Sequence, residues 1–297
     1  MKIVMLGHSN AGKTTYLASM YQSMLGGVGG FSVRAADPEV HDRLPDLAAG
    51  IRGGSYPPGT DRPDAYHFIL RHESRDVLEF RWQDYRGGAL LERSSSEEAR
   101  ELSADLAAAD GIVIFVDAPA LERNDPLAHH RVRRLVLLTT NSLQDREKLT
   151  PVVLAFTKFD LVQAPGEPMP LVETFLPLMT AVAESTIVHG TLVPVACGPE
   201  PANVVVPVLW CLHIGIRARA AELFAAAAAL AAAATSARSQ ISLWDWAASW
   251  LTDVPTWGDI ARGHERSATE EIEKIRPLVE PAERLGDLFG HADLLTF

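Results

Sequence analysis

Residues 7–14 read GHSNAGKT and directly follow the apolar run KIVML at 2–6. Two glycines bracket four residues, and a lysine and a threonine come next. This is the spacing G-x-x-x-x-G-K-[ST] of a phosphate-cradling loop. Such a loop has to join a strand to a helix, because its backbone N–H groups turn inward at the positive end of the helix beyond it. The flanks meet that demand. KIVML is short, apolar and partly β-branched, as a buried strand is. KTTYLASMYQSML at 13–25 sets Leu17, Met20, Tyr21 and Met24 at helical spacing, and GGVGG at 26–30 ends the run. Gly7 and Gly12 allow the turn and the close backbone approach. The main chain of Asn10, Ala11, Lys13, Thr14 and Thr15 completes the cradle. Lys13 would reach the β and γ phosphates, and the Thr14 hydroxyl would face Mg²⁺.

Downstream, strand and helix signals alternate. GGSYPPGTDRPD at 53–64 is dense in glycine and proline and reads as a loop. YHFILRHE and VLEFRWQD flank SRD and read as a β-hairpin, with Leu78, Phe80 and Trp82 alternating against Glu79, Arg81 and Gln83. A helix is expected over 97–109. GIVIFVDA at 111–118 and PVVLAFTKFD at 151–160 are continuous apolar runs, so strands covered on both faces. A long helical stretch lies between them, a further helix near 170–185, and TLVPVACG at 191–198 reads as the last strand. Strands alternating with helices imply a three-layer α/β fold, its sheet mostly parallel with one antiparallel edge hairpin. The expected division is a domain over 1–225 and a helical C-terminal extension over 226–297, with a helix running from about 203 through AELFAAAAALAAAA. EEIEKIRPLVEPAERL at 270–285 reads as charged helices broken by Pro277 and Pro281.

Two more motifs carry chemistry. In RWQDYRGG at 81–88 an acid ends a strand three residues before a glycine. Asp84 would hold a metal through water, and the Gly87 N–H would meet the γ phosphate. In TKFD at 157–160, Asp160 offers a carboxylate to the N1–H and N2–H₂ edge of guanine, a donor pair that adenine lacks. Lys158 would lay its stem along the base. Thr157 stands where an amide is commoner, so one contact there is weaker or indirect. In PVACG at 194–198 a backbone N–H of Ala196 or Cys197 is placed to contact guanine O6.

GHSNAGKT, DYRG and TKFD, in this order and followed by PVACG, resemble the motifs of the translation-factor-related class of P-loop GTPases, to which Ras- and Rab-like proteins and several bacterial GTPases belong. The resemblance spans about residues 1–200. It implies a GTP- and GDP-binding domain that works with Mg²⁺, two switch segments that respond to the γ phosphate, and slow hydrolysis to GDP and phosphate. It also implies a switch threonine that ligates Mg²⁺. Thr60, in YPPGTDRP, is the only threonine between the first helix and the hairpin. Arg52 and Arg62 flank it and read as solvated loop arginines. Where Ras-like enzymes carry a water-orienting glutamine, this chain has Gly88. Asn10 resembles the asparagine of bacterial GTPases activated by K⁺, which makes K⁺ a second candidate cofactor. His8 reads as an exposed loop histidine, and His129 and His130 as surface residues.

The rival readings are a nucleotide-sensing interaction protein that hardly hydrolyses, favoured by Gly88, and a P-loop ATPase, favoured only if Thr157 marks a degenerate base site. The net charge of −11 disfavours a nucleic-acid partner, and HHRVRR at 129–134 reads as a solvated helix face. The most apolar stretch, VVVPVLWCLHIGI at 204–216, falls short of a membrane span. Two cysteines and no secretory signal lead to the expectation of a cytoplasmic protein. Trp244, Trp246, Trp250 and Trp257 mark the C-terminal extension, which together with the switches would carry protein partners.

Overall fold

KIVML forms strand β1 (Lys2–Leu6), with every side chain from Ile3 onward fully buried. A strand so covered belongs at the centre of a sheet, and both its neighbours run parallel to it: β4 (Arg75–Asp84) on one side and β5 (Gly111–Asp117) on the other. The computed structural model describes residues 1–58, 64–85, 97–144, 146–163, 169–234, 266–290 and 295–297. They form two compact units, Met1–Gly215 with Leu285–Phe297, and Ile216–Arg284.

The first unit is built on an eight-stranded sheet in the order β2-β3-β4-β1-β5-β6-β7-β8. β6 (Thr150–Thr157) and β7 (Val188–Pro194) extend the parallel half. β3 (Asp64–His72) and β4 make the expected antiparallel hairpin. Two antiparallel strands come in addition: β2 (Phe31–Ala35) beside β3, and β8 (Leu295–Thr296) beside β7. Beside β8, Phe297 exchanges both backbone hydrogen bonds with Gly190.

Alternation along the strands sorts the core into two faces. Val4, Leu6, Ile112, Ile114, Val116, Val152 and Leu154 pack with α3 (Glu97–Ala107), α5 (Pro126–Leu143) and α7 (Leu176–Ala183), through Leu102, Leu106, Leu135 and Leu178 among others, and with Phe175 of the turn before α7. On the opposite face lies α1 (Lys13–Leu25), whose Tyr16 ring lies 4.8 Å from Phe115 and 6.0 Å from Trp82. α2 (Pro38–Arg52) packs beside α1; Asp37 caps it by accepting from the Glu39 N–H, and Arg52 is exposed in its last turn. Between β5 and α5 stands the short α4 (Ala118–Glu122), capped by Asp117, and α6 (Met169–Val172) precedes α7.

α8 (Val206–Ala234) begins in the first unit and continues into the second, where Ile216, Ala220, Leu223, Phe224 and Ala227 repeat at helical spacing as buried residues. The terminal α9 (Arg266–Gly290) corrects the expectation of helices broken at the prolines. One helix runs through Pro277 and Pro281. Each internal proline forfeits a backbone hydrogen bond and strains the preceding turn. The buried Ile275, Leu278 and Leu285 offset that loss along one stripe.

Candidate functional site

Five strand ends converge on one edge of the sheet, and the turns just beyond them make the site. β1 ends at Gly7. β4 ends at Asp84, which lies opposite Met5 in the register. β5 ends at Asp117, opposite Thr157 of β6, and β7 leads into Val195–Gly198. The carboxyl ends of a parallel sheet are the ordinary place for a ligand crevice. A cavity of about 460 Å³ opens there, lined by residues 8–15, 56–58, 157, 158, 160, 161, 197 and 198.

The loop geometry is built for an anion. A Cβ on Gly7 would stand 3.0 Å from the Phe115 carbonyl, so a side chain there would push the loop off β5. Gly12 has φ 82°, a left-handed conformation that favours glycine, and it opens α1 without any side-chain cap. The N-terminus of α1, with its positive dipole end, thereby opens onto the cavity. Lys13 folds back over the loop: its Nζ donates to the Gly7 carbonyl at 2.8 Å and lies 3.6 Å from Asp84 Oδ1. Lys13 and Asp84 are both buried. Burial lowers the Lys13 pKa, and the Asp84 carboxylate opposes that shift. Tyr85, directly after Asp84, is anchored through its hydroxyl to Asp105, which pairs with Lys2 at 2.5 Å.

The other end of the cavity is fixed by β6. Thr157 is 1% exposed, and its hydroxyl lies 2.9 Å from both the Ala11 and Val116 carbonyl oxygens. Lys158 takes a left-handed turn (φ 55°) and donates to Asp117 Oδ2 at 2.5 Å. Asp160 sits in a single 3-10 turn, Phe159–Leu161, tied down by the Phe159 N–H to the Val195 carbonyl. Its carboxylate faces the Gly198 backbone, where an added Cβ would come within 3.3 Å of Oδ2. Of the two N–H groups expected near guanine O6, that of Ala196 donates to Ala202 O at 3.1 Å, while Cys197 lines the cavity. Burial pushes the Cys197 thiol up to about 12, so it stays neutral.

The sequence matches the double-GTPase 2 family model over residues 2–186. The chain belongs to the double-GTPase 2 family. No curated protein matches it. Among solved structures it is similar to the signal recognition particle receptor SRβ-GTP/SRX complex of Chaetomium thermophilum, at 14% identity over 72% of this chain and 96% of that one, TM-score 0.42. The Arl6 small GTPase of Trypanosoma brucei is 15% identical over 73% of this chain and 98% of that one, TM-score 0.40. A GDP-bound GTP-binding protein of Sulfolobus solfataricus is 10% identical over 73% and 52%, TM-score 0.39. The family match and the sheet with its glycine loop give the double-GTPase 2 chain a P-loop GTPase fold, and the family supports GTP binding.

In this double-GTPase 2 chain the structure brings together Asn10, Ala11, Gly12, Lys13, Thr14, Thr15, Thr157, Lys158, Asp160 and Cys197 around one cavity, with Gly7 and Asp84 held by Lys13. Thr60, Arg62, Gly87, Gly88 and the four tryptophans of the extension lie outside the described residues. His8 is a correction. It is 7% exposed rather than a loop histidine in solvent. Burial lowers its pKa to about 4, the main chain of Arg131 opposes, and the charges of Arg131, Lys13 and Arg134 add to the depression. HHRVRR is accordingly a mixed face: Val132 is buried, and Arg131 and Arg134 act on His8. His129 bonds to Thr174 at 3.1 Å, while His130 is exposed.

Tyr56, Pro57 and Pro58 also line the cavity, and no sequence motif singles them out. The Tyr56 hydroxyl stands 3.8 Å from where a Cβ on Gly198 would be, so its ring borders the base end. A tyrosine and two prolines just past a helix end are the one signal that could have found them. Thr14 and Asp84 offer hard oxygen donors, the kind Mg²⁺ takes, and that ion needs only one or two protein ligands beside phosphate and water. Among the described residues no helix is long and apolar enough to cross a membrane.

Proposed function

We propose that this chain binds GTP and GDP with Mg²⁺ and hydrolyses GTP slowly, its nucleotide state being read by a partner protein. The observation that carries the reading is one cavity holding both recognition ends: the Lys13 loop with buried Asp84 behind it, and the Asp160 carboxylate against Gly198. The loop N–H groups and Lys13 would hold the β and γ phosphates. Thr14, Asp84 through water, and Thr60 would hold Mg²⁺, which neutralises charge developing on the phosphate oxygens. Asp160 would accept from the guanine edge, with Cys197 N–H meeting O6. Asn10 is exposed at the mouth of the loop with φ 68°, where its amide is accessible to a monovalent cation beside the phosphates. The two buried free thiols fit a reducing, cytoplasmic setting.

Gly88 supports a second reading, a nucleotide sensor with negligible turnover, since glycine has no side chain to orient water. Single-turnover GTP hydrolysis in K⁺ and in Na⁺, with Lys13→Ala as control, separates the two. Faster cleavage in K⁺ that is lost in Asn10→Ala supports a self-sufficient GTPase. Tight GTP binding without cleavage in either salt supports the sensor. ATP binding as tight as GTP binding would sink the assignment of Asp160.

A further inference from the structure

Thr157 has a single hydrogen to give. A hydroxyl carries one donor and two lone pairs, and this one lies 2.9 Å from each of two carbonyl oxygens, Ala11 in the loop and Val116 at the end of β5. Whichever carbonyl takes the hydrogen, the hydroxyl keeps only acceptor capacity for anything else. Gly12 closes over the same side chain: a Cβ there would stand 3.5 Å from Thr157 Cβ and 3.6 Å from Oγ1. The threonine is thus spent on clamping the phosphate loop to β5 and β6. An amide in its place has two N–H donors and serves the clamp and a ligand together. On the imidazole edge of guanine, N7 is an acceptor with no hydrogen. Two acceptors do not bond.

We infer that this chain recognises guanine without a hydrogen bond from the Thr157 side chain to N7, so that base selectivity rests on the Watson–Crick edge facing Asp160 and on O6. The inference rests on the GTP-binding reading above. It makes the site tolerant of purines altered at N7, because a C–H at that position loses no bond to Thr157.

The test is competitive displacement of a fluorescent GDP by GTP, ATP and 7-deaza-GTP, on the wild-type chain and on Thr157→Val. In the wild type, 7-deaza-GTP is expected to bind within about threefold of GTP, below or near the effect of one neutral hydrogen bond. Thr157→Val removes the clamp and should weaken GTP and 7-deaza-GTP by the same factor. A wild-type loss of about tenfold or more on going from GTP to 7-deaza-GTP overturns the inference. So does a Thr157→Val chain in which GTP weakens while 7-deaza-GTP does not. Should Thr157→Val not fold, the wild-type comparison decides alone. If GTP fails to displace the probe, or does so no better than ATP, the GTP reading itself falls, which is a different result.

Discussion

Asp117 divides its carboxylate between two tasks: Oδ2 holds Lys158 Nζ at 2.5 Å, and Oδ1 accepts the Ala120 N–H at 3.1 Å to cap α4. One residue at the end of β5 therefore steadies both the base-side lysine and the turn beneath it. Asp117→Ala should cost about 1 kcal/mol for the lost cap, with a few tenths more for a half-exposed ion pair. It should also weaken guanine nucleotide binding by freeing Lys158. Asp117→Asn keeps an oxygen for the cap and should recover most of the stability but less of the affinity. Urea unfolding and titration with a fluorescent GDP, run on both variants, read the two effects separately.

Asp160 is held by the Phe159 turn and faces Gly198 with no side chain in between. Asp160→Asn replaces half of an acceptor pair with a donor, which meets the donor edge of guanine. GTP affinity should fall by on the order of 30-fold, about 2 kcal/mol for hydrogen bonds to a charged acceptor. ATP affinity should not fall, so selectivity narrows. The measurement is the ratio of the two dissociation constants. A ratio unchanged by the substitution would move base recognition elsewhere in the cavity.

What could be read in the chain was whatever chemistry forces into a short, ordered stretch. The glycine loop, Asp84 and TKFD each need fixed residue types within eight positions, and strands β1, β5 and β6 are continuous apolar runs. The rest depends on contacts across long separations. Asp117 and Lys158 are 41 residues apart and meet only because β5 and β6 pair in register. The lowered pKa of His8 takes part of its cause from Arg131 and Arg134 of α5, more than a hundred residues on. β8 is two residues long and is defined by its partner β7 rather than by any pattern of its own. α2 is well capped by Asp37 with Pro38 behind it, yet Pro45 inside it hides the helix from a reading that treats proline as a stop.

The cost of a proline inside a helix can be measured directly in α9. Pro277 is exposed in the helix interior, so Pro277→Ala restores a backbone donor without opening a cavity. It should stabilise the helix by ~1–3 kcal/mol. Ile275 is fully buried, and Ile275→Ala should destabilise by ~2–4 kcal/mol. Thermal unfolding followed by circular dichroism should show shifts of opposite sign. A shift of the same sign for both would mean that the helix is interrupted at Pro277 after all.

Acid should destabilise the fold through His8, whose folded pKa is lowered to about 4 against an ordinary value of 6.5, chiefly by burial. Between those values the unfolded chain binds a proton there and the folded chain does not, so stability must fall as pH drops through this window. The full effect is ~3 kcal/mol, reached below the folded pKa and absent above the unfolded one. Arg131, Arg134 and Lys13 are the charged groups acting on the ring. The quantity to measure is the difference between wild type and His8→Leu at each pH, which cancels what the two proteins share. Urea midpoints across this window should show the wild type losing stability faster than His8→Leu, with the gap widening toward the lower end. Parallel pH profiles for the two proteins would mean that the imidazole reaches solvent and carries its charge in the folded state.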